Sequence, residues 1–209
     1  MSQTESSSGA GKRMLLHICC GPCATYTVLR LREQAWDVTG LWFNPNIHPF
    51  SEHEKRRETL ASFAEQVALP MQWEAGYEMP AFLRAVVGQE RFRERCQICY
   101  RLRLERAAQA AAAGGYDAYS TTLLISPYQD QAGIRRIGEE LGAAHGVAFY
   151  FENFRRGYAE TPRLCATYGL YRQHYCGCIY SEWEALEHAK ARQAASREAG
   201  APQTRSAGL

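Results

Sequence analysis

Residues 14–29 constrain this chain more than any other stretch. An apolar run of strand length, residues 14–18 (MLLHI), feeds Cys19-Cys20-Gly21-Pro22-Cys23, a tight turn carrying three thiols. The following segment places Val28, Leu29 and Leu31 where an amphipathic helix over residues 22–35 turns them toward a core. In open α/β sheets, ligands bind beyond the carboxyl ends of parallel strands, often at the next helix N-terminus. The partial positive charge of that helix end favours thiolates. Three cysteines at such a turn point to chemistry rather than to packing.

With 209 residues the chain can bury a substantial single core. The expected organisation is a disordered tail over residues 1–12, one α/β catalytic domain over 13–190 and a disordered tail over 191–209. An apolar fraction of 46% and a charged fraction of 22% are ordinary for a soluble protein, and a net charge of +2 does not by itself indicate nucleic acid. No apolar run approaches the ~20 residues that span a bilayer, and the Ser/Gly-rich start lacks a signal-peptide core. The expectation is therefore a cytoplasmic protein with no membrane partner. In a reducing cytosol, its eight cysteines serve better as ligands or redox groups than as structural disulfides. They fall as Cys19-Cys20-x-x-Cys23, Cys96-x-x-Cys99, a lone Cys165 and Cys176-x-Cys178.

Strands are predicted at residues 14–18, 38–43, 71–73, 117–123 and 147–151. Helices are predicted at 22–35, 51–67, 78–94 (interrupted by Gly88) and 96–113. A further helix opens at residues 126–130 and carries Ile134, Ile137 and Leu141; a last one runs from Ser181 to about Lys190. The Asn-Pro and His-Pro steps in residues 44–49 force an irregular loop. Alternating strands and helices indicate a Rossmann-like, mostly parallel sheet flanked by helices, with the Cys-rich metal site at the strand C-terminal edge.

The first cysteine group and the distant CxxC could combine into one four-thiolate site. Iron–sulfur clusters prefer all-thiolate shells, whereas zinc often recruits His as well. A structural zinc site is the plain alternative, but zinc ribbons present CxxC pairs on hairpin knuckles, not after a buried strand. CGPC also matches a thioredoxin-like motif, which leaves Cys19 and the second CxxC unexplained. Cys176 and Cys178 could close a strained, redox-active disulfide or act as two metal ligands. Cys165 reads as a bystander.

Five separated segments, HICCGPC, FNPNIHPFSEHEKRRE, RCQICYRLRLERAA, STTLLISPYQD and LYRQHYCGCIYS, resemble in this order the motifs of the cobalamin-independent epoxyqueuosine reductase family, QueH. FNPNIHP and STTLL also look like segments of nucleotide-loop (HUP-like) tRNA-modifying folds. The resemblance covers about residues 13–185. It implies reduction of the epoxide of epoxyqueuosine at the tRNA wobble position to give queuosine, with no cobalamin. It further implies a 4Fe–4S cluster held by Cys19, Cys20, Cys96 and Cys99, and in some members a second, mononuclear iron. Cys176 and Cys178 carry over as a redox-active pair or as ligands of that iron, and Cys23 as another candidate ligand for it. The partners so implied are tRNA bearing epoxyqueuosine and an external electron donor. Two other readings stand beside this one. An ATP-dependent tRNA-modifying enzyme would need an SGGxDS-like phosphate loop where this chain has CCGPC; the other is a zinc-stabilised RNA-binding module.

Outside the cysteines, His48 with Asn44 and Asn46 could donate a proton or hold substrate hydroxyls, or merely stabilise its loop. Asp130 reads as a helix N-cap before it reads as an acid. His17, inside an apolar strand, reads as a hydrogen-bonded core residue. Arg84, Arg91, Arg93, Arg95, Arg101, Arg103 and Arg106 flank the second CxxC; Arg155, Arg156, Arg163 and Arg172 interleave with Phe154, Tyr158, Tyr168 and Tyr171 before the CxC. Both sets are candidates for tRNA contact against the alternative of solvated helix faces. The substrate-binding candidates are thus Asn46, His48, Asp130, Arg155 and Arg172.

Overall fold

A computed structural model describes residues 11–200; the predicted tails fall outside it over 1–10 and 201–209. The chain divides into two compact units, one ending at Arg172 and the other beginning at Gln173.

The first unit is built on five parallel strands: β1 (Arg13–His17), β2 (Asp37–Trp42), β3 (Met71–Trp73), β4 (Ala118–Thr121) and β5 (Ala148–Phe149). Their order is β3-β2-β1-β4-β5. Strand β1 is central: Leu16 pairs with Gly40 of β2 on one side and Ser120 of β4 on the other. A strand covered on both faces should be continuously apolar. Met14, Leu15 and Leu16 are fully buried, as is His17. The helices are α1 (Gly21–Glu33), α2 (Phe50–Gln66), α3 (Met79–Val86), α4 (Glu94–Ala113), α5 (Gln131–His145) and α6 (Thr161–Thr167). Val28 and Leu31 of α1, Leu104, Ala107 and Ala111 of α4, and Ile134 and Ile137 of α5 close the core over the sheet. In the second unit, α7 spans Ile179–Gly200, ten residues past the predicted helix end at Lys190.

Three local departures from the predicted elements have physical causes. The helix expected over 78–94 ends at Val86, because Gly88 (φ +79°) and Arg93 (φ +75°) both leave right-handed space before α4 begins. The strand expected to reach Leu123 stops at Thr121, whose hydroxyl accepts the Leu123 N–H and caps a 3-10 turn, Thr122–Ile125. The aromatic and basic segment after residue 152 folds into a 3-10 helix, Phe154–Glu160, followed by α6. Gly157 lets that 3-10 helix lie on α1, since a Cβ there would meet the Tyr26 ring at 2.2 Å.

One carboxylate ties this edge together. Glu152 accepts from Arg30 Nε (3.0 Å), Gln34 Nε2 (2.8 Å), Arg156 Nη2 (2.6 Å) and the Tyr150 hydroxyl (3.0 Å). Burial alone would raise its pKa, but these donors outweigh burial and hold it at about 2, below the usual 4.5. A depressed carboxylate contributes stability that is present above its unfolded pKa and lost as the pH falls toward its folded one. Glu152→Gln should therefore lower the urea-unfolding free energy at neutral pH by about 1.5–3 kcal/mol, the range for hydrogen bonds to a charged group. The gap to wild type should close as the pH is taken from 4.5 down toward 2, the interval set by these two pKa values.

Candidate metal and redox centre

The strand order reverses at β1 and β4, so the crevice at their carboxyl ends is the topological switch point of the sheet. The thiol turn leaves β1 at that edge. Cys20 is the N-cap of α1 in an extended conformation, and Pro22 occupies the first helical turn. Gly21 permits close approach of α2, because a Cβ would meet the Thr59 side chain at 3.0 Å. The result is a compact group: the sulfurs of Cys19, Cys20 and Cys23 all lie within 4.8 Å of one another. Cys19 and Cys20 are 3.8 Å apart.

Strand β4 supplies the opposite wall. The Cys19 N–H donates to Thr122 Oγ1 (3.1 Å), and the Thr122 hydroxyl donates to the Cys19 sulfur (3.3 Å). His17 joins the same two strands, its Nδ1 lying 2.8 Å from Thr121 Oγ1 and its Nε2 lying 3.2 Å from the Phe43 carbonyl. A carbonyl only accepts, so the ring proton sits on Nε2 and the Thr121 hydroxyl donates to Nδ1. Burial, reinforced by the nearby Arg103 charge, lowers the His17 pKa to about 4, so the ring is a neutral structural element at physiological pH.

Two buried guanidiniums face the thiols. Arg103 is 2% exposed and donates from Nε to the Cys99 carbonyl (3.1 Å) and from Nη2 to the Cys99 sulfur (3.1 Å). Arg56 is 1% exposed, is paired with Glu52 at 2.6 Å, and its charge interacts with Cys20 and Cys19. Glu52 is fixed in turn by the Tyr171 hydroxyl at 3.0 Å. Hydrogen bonds from Cys20 and Cys23, joined by Thr122 and the Arg103 charge, hold Cys19 well below the ordinary thiol range against the cost of burial. Burial and the bond to Cys19 push Cys20 up, and the bonds to Cys19 and Cys20 push Cys23 up.

Helix α4 connects β3 to β4, so its N-terminus, with half-buried Cys96 and buried Cys99, opens at the same sheet edge. Neither sulfur falls inside the 4.8 Å group; Arg103 links Cys99 to it electrically by holding Cys99 and acting on Cys19. Gln97 Nε2 donates to Asp130 Oδ2 (3.0 Å), and the Tyr100 hydroxyl donates to Gln129 Oε1 (2.8 Å). The CxxC turn is thereby bonded to the loop that follows β4.

The remaining predicted residues take distinct places. Asp130 caps α5 by accepting the Gly133 N–H (3.1 Å), and that bond, with Gln97, holds its carboxyl below the usual range. Both oxygens are engaged, one in the cap and one with Gln97. Arg155 donates to the carbonyls of Ser126 (3.2 Å) and Gln129 (2.6 Å), clamping a loop instead of reaching outward. His48 is 4% exposed and packs on Phe82 at 5.4 Å between ring centroids; burial lowers its pKa. Asn44 Nδ2 donates to the Ile18 carbonyl (2.9 Å), tying the Asn-Pro loop to the residue before the thiols. Among the described residues, the buried Oδ1 atoms of Asn44 and Asn46 have no hydrogen-bond partner. Asn44 also lines a small cleft with Trp42, His53, Glu74, Tyr77 and Glu78. Arg172 is exposed, and Cys165 is buried in the core. In the second unit, Cys176 is exposed and Cys178 buried, both as thiols. The Cys178 carbonyl accepts from Ser181 Oγ (2.7 Å) and the Glu182 N–H (3.1 Å), which starts α7.

Arg56, Arg103 and Thr122 escape a reading of spacing. Arg103 lies four residues after Cys99, one helical turn away, and that interval is the sequence signal for an inward-facing arginine. Arg95 is likewise 2% exposed, so neither Arg95 nor Arg103 belongs to a solvated face.

Gathered thiols beside buried cations are a donor set suited to a soft or borderline metal such as iron or zinc. Fold and site thus define an α/β protein with a thiol-rich metal centre at its switch point. A protein from Methanocaldococcus jannaschii described as a predicted subunit of tRNA methyltransferase shares this fold, with a TM-score of 0.52 at 11% identity over 74% of each chain. The family model for epoxyqueuosine reductase QueH matches residues 14–184. Curated relatives of that name include one from Dehalococcoides mccartyi, 36% identical over 82% of this chain and 93% of its own, and one from Thermotoga maritima, 38% identical over 83% and 92%. The chain belongs to the epoxyqueuosine reductase QueH family and is by that membership an oxidoreductase.

Arg103→Met keeps volume and removes charge, which separates packing from electrostatics. The change also strips the Cys99 carbonyl and sulfur of their donor, so the variant should melt somewhat below wild type even without metal. Its affinity for cobalt(II), read from thiolate charge-transfer absorbance, should fall at least about tenfold, or ~1.4 kcal/mol. Lower melting with unchanged cobalt affinity would make Arg103 a packing residue.

Proposed function

We propose that this chain reduces the epoxide of epoxyqueuosine at the wobble position of tRNA, giving queuosine. The observation that carries the reading is the convergence of Cys19, Cys20 and Cys23 at the switch point of a chain that QueH relatives match over most of its length. Removing the epoxide oxygen as water consumes two electrons and two protons and leaves a carbon–carbon double bond.

In this reading Cys19, Cys20, Cys96 and Cys99 hold a 4Fe–4S cluster and Cys23 faces a second iron. Bound there, these irons supply single electrons and a Lewis acid for the departing oxygen. Arg103 and Arg56 offset the thiolate charge, and Thr122 fixes the Cys19 sulfur by hydrogen bonding. Closing Cys176 and Cys178 to a disulfide releases two electrons and two protons, the number the reaction consumes; an external donor then restores the dithiol. Ligation of the second iron is the other role for that pair. Asn46, His48 and Arg172 are the substrate contacts in this scheme, with Arg155 clamping the 126–130 loop and Asp130 capping α5. Among the described residues no helix is long and apolar enough to cross a membrane, and we place the enzyme in the cytoplasm with its tRNA.

Anaerobic purification should yield brown protein containing several irons and acid-labile sulfide per chain. Colourless protein carrying one zinc and no iron would contradict the cluster. Cys176→Ser should abolish turnover while retaining most cluster absorbance; full activity in that variant would remove the dithiol role.

A further inference from the structure

Two exposed tyrosines stand at the rim of the thiol centre, and packing does not account for them. Tyr128 is 76% exposed and Tyr158 40% exposed, and their rings meet edge to face at 6.3 Å and 85°. Each is nonetheless held by firm backbone. Tyr128 lies on the loop clamped by Arg155 through the Ser126 and Gln129 carbonyls, and its own N–H donates to Ser126 Oγ (3.2 Å). Tyr158 follows Gly157, the residue seated against Tyr26 of α1, and Cys23 lies one helical turn before Tyr26. Cys23 and Arg172 both lie within electrostatic reach of the Tyr158 hydroxyl. An apolar surface fixed by a clamped loop, beside a thiol and an exposed arginine, is organised for a planar, anionic-backboned ligand.

We propose that Tyr128 and Tyr158 form a stacking platform for an unpaired base of the RNA substrate, next to the base being reduced. This rests on the reading that RNA carries the reacting group. Drawing one anticodon base to the thiols unstacks its neighbours, and an aromatic face beside the centre recovers that stacking. Every base has a π-face, so the platform is indifferent to which base it takes. Arg172 contributes attraction for the adjoining phosphates.

The test uses the full-length protein and a fluorescently labelled anticodon stem–loop RNA, read by anisotropy, with a fully paired duplex as control. Tyr128→Ala should weaken stem–loop binding about 5- to 150-fold, the range of a lost base–aromatic stack. Tyr128→Phe should bind within about twofold of wild type, because the ring carries the effect. Duplex binding and the melting temperature should not change in either variant, since this side chain is exposed. Unchanged stem–loop binding by Tyr128→Ala, or an equal loss in Tyr128→Phe, would overturn the platform. Epoxide reduction by wild type in parallel keeps the two ideas apart: turnover with undiminished Tyr128→Ala binding sinks the platform alone. Stem–loop binding that depends on Tyr128, without turnover, sinks the reductase reading and leaves the platform standing.

Discussion

The structure depends on β1 being hydrogen-bonded on both sides, to β2 and to β4, in parallel register. A parallel strand in the middle of a sheet has no solvated face, so it is largely apolar, any polar side chain in it is hydrogen-bonded, and its chemistry comes at its end. The thiols sit at that end. Because the chain order reverses between β1 and β4, the adjacent connections leave in opposite directions and open a crevice there. The thiol turn fills one side and the Thr121–Thr122 step the other. His17 and Thr122 bond across the two strands, so the sheet itself sets the position of the Cys19 sulfur.

Burying charge around this crevice follows from the same geometry. Arg103 and Arg56 are almost wholly withdrawn from water, which is unfavourable unless each faces an anionic partner. Arg56 has Glu52, and both guanidiniums have thiols. A protein that needed only a packed core would place leucine or methionine at these positions. Arginine at these positions suits a site that gathers thiolate charge, the form in which thiols ligate metals.

Much of this was legible before any coordinates. The apolar run of β1, the CCGPC turn and the helical spacing of Val28 and Leu31 placed the first βα unit. The motif order pointed to the QueH family. What periodicity could not show was which polar residues turn inward. Arg103 reads as one of seven arginines near a CxxC, and only the helical interval from Cys99 distinguishes it. Asp130 was legible as a cap because its spacing to Gly133 is local. Arg155 was not, because its carbonyl partners at Ser126 and Gln129 are nearly thirty residues away in sequence. Tertiary hydrogen bonds of that span leave no pattern in a single sequence.

The central claim, that the β1 thiols are where the epoxide is reduced, is tested most directly by nucleoside mass spectrometry. Iron-reconstituted wild type and Cys19→Ser would each be incubated, with a chemical reductant, with tRNA bearing epoxyqueuosine, and the tRNA digested. Wild type is expected to convert epoxyqueuosine to a product lighter by one oxygen atom, and Cys19→Ser to leave it unchanged. Equal conversion by the two proteins, or none by wild type, would contradict that claim.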